Sequence, residues 1–197
     1  MRVAVLIASV LLASTAWPQN TELIPKAYLA PKYVAPADAP SNTVIAGRDE
    51  RGDRLIVTGR ALDQGRPVAG VSIYAFHADA DGLYSRDGRN SDENARLFAT
   101  LRTDGEGRYR YETIRPGNYP RFPPVPAHVH YVVRAPGYKP IMFELWFEDD
   151  PALAERRKVG MPDVPTVYPP DAVAIRPVTR DAGGVWHSTR DLTMVRE

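Results

Sequence analysis

The sequence predicts an all-β protein: an antiparallel sandwich with long loops and at most one or two short helices. Three observations carry that reading. Apolar residues alternate with period two in several short runs, as half-buried strands require. Glycine and proline punctuate those runs, and the chain of 197 residues holds 19 prolines, a density that suits loops and breaks helices. Helix signals gather at one place only, residues 151–158.

The elements follow in order. Residues 55–59 (LIVTG) form a short apolar run closed by Gly59, and residues 65–70 (GRPVAG) carry turn residues. Residues 71–76 (VSIYAF) alternate. Asp104-Gly105-Glu106-Gly107 makes a turn, and residues 108–114 (RYRYETI) alternate again. Pro116-Gly117-Asn118 marks another turn. Residues 127–134 and 141–147 are two further strands, parted by Pro136-Gly137. Val185-Trp186 and residues 191–195 are expected to pair as a last hairpin. Asp150 as N-cap and Pro151 at the first helical position predict a short helix. Short strands at such spacing build a sandwich or barrel.

Three segments divide the chain. Arg2, the apolar run 3–13 and the small residues Ser14-Thr15-Ala16 form an export signal over residues 1–16. The run is too short for an ordinary spanning helix. The expected location is therefore outside the cytoplasm, periplasmic or secreted, with no membrane contact after signal removal. Residues 17–47 hold Pro18, Pro25, Pro31, Pro36 and Pro40 and read as an arm, either packed on the domain or free. Residues 48–197 are the domain. The arm or an uncovered sheet face would support a homo-oligomer.

Composition removes several function classes. Lys plus Arg is 25 and Asp plus Glu is 24, a net charge of +1, which gives no electrostatic footprint for nucleic acid. Cysteine is absent, so disulfides, thiolate metal sites and cysteine nucleophiles are excluded together. No Gly-x-Ser-x-Gly elbow supports a serine hydrolase. Any metal must be held by His, Tyr or carboxylate.

The four histidines are His77, His128, His130 and His187. His128 and His130 stand one residue apart on a strand, so both point to the same face and reach one ion from a rigid backbone. Tyr119 lies nine residues before His128, across a proline-rich loop, and Tyr84 follows the turn Asp79-Ala80-Asp81-Gly82. Two phenols and two imidazoles suit a hard, highly charged cation, and ferric iron fits them better than zinc. Each tyrosine could equally serve packing. His77, just after a strand, reads first as a structural histidine bonded to Asp79 or a carbonyl. His187 reads as surface, and Asp149-Asp150 as a helix cap.

The ordered set Gly82-Leu83-Tyr84, Thr103-Asp104-Gly105-Glu106-Gly107-Arg108-Tyr109, Arg115-Pro116-Gly117-Asn118-Tyr119-Pro120 and Pro126-Ala127-His128-Val129-His130 resembles the intradiol ring-cleavage dioxygenases of the catechol and protocatechuate group. Residues 145–150 (LWFEDD) resemble the strand that follows in that family. The resemblance implies a transthyretin-like β-sandwich core and Fe(III) held by Tyr84, Tyr119, His128 and His130. It implies insertion of both atoms of O₂ into an aromatic ortho-diol, with a muconate-type product and no organic cofactor. Tyr119 would leave the metal and take up a substrate proton. Two positions depart from the family pattern. Val125 stands where an arginine facing the substrate ring is usual, with Arg121 close by as a substitute. Glu144 stands where glutamine is frequent. Tyr119, Arg121 and Glu144 are thus the candidate catalytic residues.

Two other readings compete. The motif around residues 103–119 also resembles non-catalytic transthyretin-like and carboxypeptidase-regulatory-like binding modules, which have no reason to place His-x-His downstream. A cupin-like enzyme would place a glutamate a few residues after its histidine pair, where this chain has Tyr131-Val132-Val133-Arg134.

Overall fold

The computed structural model describes residues 23–85, 90–119, 125–164 and 171–197. The strands are, in chain order, β1 (Asn42–Val44), β2 (Arg54–Asp63), β3 (Arg66–Pro67), β4 (Ser72–His77), β5 (Leu97–Arg102) and β6 (Arg108–Ile114). Then come β7 (His128–Arg134), β8 (Ile141–Phe147), β9 (Val173–Arg176), β10 (Thr179–Arg180), β11 (Trp186–Thr189) and β12 (Leu192–Thr193). They form two sheets. One runs β1-β6-β2-β11-β10, with β3 and β12 also paired to β2. The other runs β5-β4-β7-β8-β9.

The all-β sandwich expected from sequence is present, and its central pairs are antiparallel: β2 with β6, and β4 with both β5 and β7. The edges differ. The pairs β1 with β6, β11 and β12 with β2, and β9 with β8 are parallel, so both sheets are mixed. These edge strands belong to the arm and the C-terminal segment, which return along the sandwich instead of turning back in hairpins. The expected hairpin between 185–186 and 191–195 does not form. Trp186 to Thr189 and Leu192-Thr193 lie one after the other alongside β2. Gly59 explains the arrangement. It does not close the strand, as its sequence context suggests, because β2 continues to Asp63. A side chain at position 59 would place its Cβ 1.9 Å from the Arg190 carbonyl oxygen, so glycine marks a close backbone approach there.

Strand β5 was not foreseen. Its exposed Phe98 puts an apolar residue on the solvent side and blurs the alternation. The helix α1 (Pro151–Lys158) forms as expected, with the Asp150 carboxylate accepting from the Ala152 N–H at 2.8 Å.

Between the sheets lie Leu55, Val57, Tyr109 and Tyr111 from one side and Ile73, Ala75, Val129, Tyr131, Val133, Phe143 and Leu145 from the other. His77 shares this inner face. One of its nitrogens contacts the Ala78 carbonyl at 2.7 Å and the other Thr113 Oγ1 at 2.6 Å, tying β4 to β6. The histidine is therefore structural, and its partners are a carbonyl and a threonine. Burial pushes its pKa down to about 4.

The outer face of the five-stranded sheet is also covered. Tyr28 stacks on Phe76 with centroids 5.6 Å apart, and Tyr33 meets Tyr74 edge-on at 5.0 Å. Each such buried ring contributes roughly 2–3 kcal/mol. Residues 23–41 thus lie over β4 and β7, whose residues are buried on both faces except Arg134. That double burial is why residues 128–134 read as almost continuously apolar, with two histidines set into the run.

Candidate metal centre

The site grows from the pleat of β7. His128 and His130 point to the outer face, while Val129 and Tyr131 point into the core. Both imidazoles are buried, at 4% and 5% exposure. His130 lies flat on Phe76, 4.7 Å away and within 16° of parallel, which fixes its ring. His128 stands nearly perpendicular to it, at 84°. The β7–β8 register sets Glu144 beside His130 and Trp146 beside His128.

Two loops bring the phenols. Asp79 shapes the first: its side chain accepts from the N–H groups of Asp81 and Leu83 at 2.9 and 3.1 Å. Tyr84 is then held on both sides of its backbone, by Asn90 Oδ1 on its N–H and by the Arg96 N–H on its carbonyl. The second loop carries Tyr119. Two glycines let the loops touch backbone to backbone. A Cβ at Gly82, whose φ is +76°, would sit 2.0 Å from the Asn118 carbonyl oxygen. A Cβ at Gly117 would sit 2.4 Å from that of Ala80. Gly117 also donates to the Asp79 carbonyl at 2.9 Å. Asp150 anchors the second loop at both ends, accepting from the Asn118 side chain at 2.8 Å and from the Ala127 N–H at 2.9 Å. The sequence signal for Asp150 was a helix cap, and it caps the helix while also setting the distance between Tyr119 and His128.

Four atoms converge as a result. Tyr119 Oη lies 2.9 Å from His128 Nε2 and 3.4 Å from His130 Nε2. Tyr84 Oη lies 2.8 Å from His130 Nε2, and the two phenol oxygens are in hydrogen-bond contact. The two Nε2 atoms are 2.9 Å apart. His128 Nδ1 faces the Pro126 carbonyl at 2.7 Å. A carbonyl only accepts, so the proton is on Nδ1 and the Nε2 lone pair is bare. His130 Nδ1 faces Glu144 Oε1 at 3.4 Å, an acceptor beside which the same tautomer is favoured. Both imidazole lone pairs therefore point at one place, where the phenol hydroxyls of Tyr119 and Tyr84 reach them, so a cation displacing the two phenol protons would meet two nitrogens and two oxygens.

Electrostatics agree. Burial, with the neighbouring Tyr119 second, pushes the Tyr84 phenol far above its ordinary range, so its anion needs a cation in place of the proton. Burial, its largest cause, lowers His128 to about 4, which keeps it neutral and available as a ligand. Burial alone would raise Glu144, but the adjoining imidazoles of His130 and His128 and the hydrogen bond from Trp146 outweigh it and lower its pKa. These donors fit a ferric ion: two bare imidazole nitrogens and two hard phenol oxygens aimed at one point.

A second donor set needs weighing. His128, His130 and Glu144 each offer an atom within 4.8 Å of the others, the make-up of a two-histidine, one-carboxylate site. Glu144, however, stands on the Nδ1 side of His130, and its other oxygen accepts from the Trp146 indole N–H at 2.6 Å. The Nε2 atoms face the tyrosines, and the four-donor set has the better geometry.

The four residues singled out as ligands are thus brought together, and Glu144 lies directly behind one of them. Arg121 lies outside the described residues, as do residues 1–16. Val125 is half-buried at the mouth of β7. His187 is partly exposed and paired with Asp181 at 2.8 Å, remote from this cluster in the sheet order. Sequence reasoning missed Trp146 and the Asp150 staple. The signal for Trp146 was its spacing of two from Glu144.

Fold and site together define a β-sandwich with a buried two-tyrosine, two-histidine centre on its outer face. The family profile described as "Dioxygenase" matches residues 28–159, and the chain belongs to that family, among the intradiol ring-cleavage enzymes. Hydroxyquinol 1,2-dioxygenase of Rhizobium sp. (strain MTP-10005) is 31% identical over 151 residues, covering 68% of this chain and 50% of that protein. The protocatechuate 3,4-dioxygenase beta chain of Burkholderia cepacia is 34% identical over 127 residues, covering 59% and 54%. The chain spans about half the length of these curated relatives. Among solved structures, 3-chlorocatechol 1,2-dioxygenase from Rhodococcus opacus 1CP superposes with a TM-score of 0.65 at 26% identity, over 83% of this chain and 68% of that one.

Proposed function

We propose that this protein is an exported non-haem Fe(III) dioxygenase that opens an aromatic ortho-diol between its hydroxylated carbons. The observation that carries the reading is the convergence of Tyr84, Tyr119, His128 and His130 on one point, each Nε2 within hydrogen-bond distance of a phenol oxygen. Tyr84, Tyr119, His128 and His130 would hold the ion. When bound, the ferric ion supplies Lewis acidity that lowers the pKa of a diol hydroxyl and draws electron density from the ring.

This chain's own residues supply the rest. Phe76 and the Pro126 carbonyl hold the two imidazoles in fixed rings and tautomers, so neither nitrogen must reorganise when the diol enters. Tyr84 is the more deeply buried phenol, at 4% exposure, and is held at both sides of its backbone. It would stay in place. Tyr119 is less buried and sits on a loop, and its phenol oxygen is the one suited to accept a diol proton. Both oxygen atoms of O₂ end in the product, so no external reductant is required.

Incubation of the iron-loaded protein with catechol, protocatechuate or hydroxyquinol under ¹⁸O₂ tests the reading. A ring-opened dicarboxylate gaining both labelled atoms from at least one of these diols is the expected result. Recovery of all three diols unchanged would contradict it and favour a binding module. Export is tested by the N-terminus of protein secreted from its host, expected near Trp17; a chain retaining residues 1–16 would contradict it.

A further inference from the structure

We infer that Glu144 is a positioning residue that fixes the tautomer of His130 and adds a negative charge behind it, holding the centre in its ferric state. The inference rests on the iron-site reading above. It goes beyond it by giving a role to a buried carboxylate that the four-ligand set does not use.

Glu144 is 4% exposed, on the same face of β8 as Trp146. Two ring nitrogens flank it. The Trp146 indole nitrogen, which can only donate, lies 2.6 Å from Oε2. His130 Nδ1 lies 3.4 Å from Oε1. A group between that indole donor and Nδ1 keeps Nδ1 protonated only if it offers an acceptor at each end. A carboxylate has that, whereas a glutamine would turn its NH₂ toward one of them. Trp146 is pinned in turn by the Arg156 guanidinium, 6.0 Å from its ring centre. Glutamate at 144 and tryptophan at 146 therefore form a matched pair.

The consequence reaches the metal through His130. A carboxylate behind a ligating imidazole fixes its orientation and makes its far nitrogen a stronger donor. Stronger donation, plus a buried negative charge, favours Fe³⁺ over Fe²⁺. Glu144 touches His130 and Trp146 on the Nδ1 side, so its part is to position and polarise.

The test is E144Q, nearly isosteric, with the wild type in parallel. Ferric affinity is measured by chelator competition and the Fe(III)/Fe(II) potential by redox titration. Ferric affinity should fall about 10–100-fold. Each tenfold loss in ferric over ferrous preference raises the one-electron potential by 59 mV. The tyrosinate band should persist and move to lower energy. An unchanged affinity and potential in E144Q would overturn the inference while leaving the iron site standing. A wild type with no tyrosinate band would instead remove the iron reading itself. A second measurement needs no variant: ¹⁵N NMR of the metal-free protein should find His130 protonated at Nδ1, and a bare Nδ1 would overturn the positioning role.

Discussion

Hydroxylated rings meet strand β7 on both of its faces, and the two clusters behave differently. On the inner face Tyr131 meets Tyr111, oxygen to oxygen at 2.5 Å, and Tyr109 donates to the Arg190 carbonyl at 2.5 Å. On the outer face Tyr84 and Tyr119 meet each other and also two imidazoles. Burial raises the phenols of Tyr84, Tyr109, Tyr111 and Tyr131 alike. A cluster of buried tyrosines is thus no site in itself. The outer cluster differs in having two lone pairs that lack any proton of their own. One residue of register separates the core from the candidate metal centre, because neighbouring residues of β7 face opposite ways.

The largest break in this comparison comes from the ligands. H128A should abolish ferric binding and bring ring cleavage to background, measured by iron content and oxygen uptake, while the fold persists by circular dichroism. G82A comes next. Its Cβ would collide with the Asn118 carbonyl at a φ of +76°, so it must push the two tyrosine loops apart. Backbone strain of this kind costs about 1–3 kcal/mol. The iron affinity should fall more than that stability loss explains, because the displaced atoms are the phenols.

D150A removes the helix cap, worth about 1 kcal/mol, and leaves the buried Ala127 N–H unpaired, for a further 1–3 kcal/mol. Chemical denaturation should show the sum, with ferric affinity lower by about 10–100-fold as the loop loses its anchor.

The pH dependence compares one histidine from each face. His77 and His128 are both lowered by burial, to about 4 from 6.5. The unfolded chain then binds more protons below pH 6.5. Stability is complete above that value and is lost as pH falls toward 4, by about 3 kcal/mol for each imidazole. Urea midpoints of the metal-free protein at pH 7 and pH 4.5 read this directly. The smallest effect belongs to Y111F, which strips one hydroxyl from the inner cluster. It should cost about 1 kcal/mol and leave ring cleavage unchanged.

The contrast between faces also explains what the sequence disclosed. The alternation at 71–76 and 108–114 encodes the central strands, and the spacing His128-x-His130 encodes a shared face. Both are local, so both are legible. The parallel edge strands are two to four residues long, and what places them is contact with β2, β6 and β8 far away in sequence. Gly59 looked like a terminator because its reason, the passing Arg190 carbonyl, is 131 residues away. Tyr84 and Tyr119 were legible as candidate donors from their turns and the stiff proline-rich loop, and the family resemblance set them apart from the other tyrosines. What joins them is the touching of two glycine-bearing loops, which no spacing rule reveals. The partnership of Glu144 with Trp146 was hidden for a different reason: it depends on which donors flank a side chain after folding.

The central claim is that the outer cluster, and not the inner one, binds ferric iron through phenolate oxygen. The most direct measurement is the visible absorption spectrum of the ferric-loaded protein, alone and with catechol added under anaerobic conditions, for the wild type, Y84F, Y119F and Y111F. The account predicts a broad tyrosinate charge-transfer band that catechol alters, that changes or vanishes in Y84F and Y119F, and that Y111F leaves intact. A colourless wild type that takes up no iron, or a band equally indifferent to all three substitutions, would contradict it.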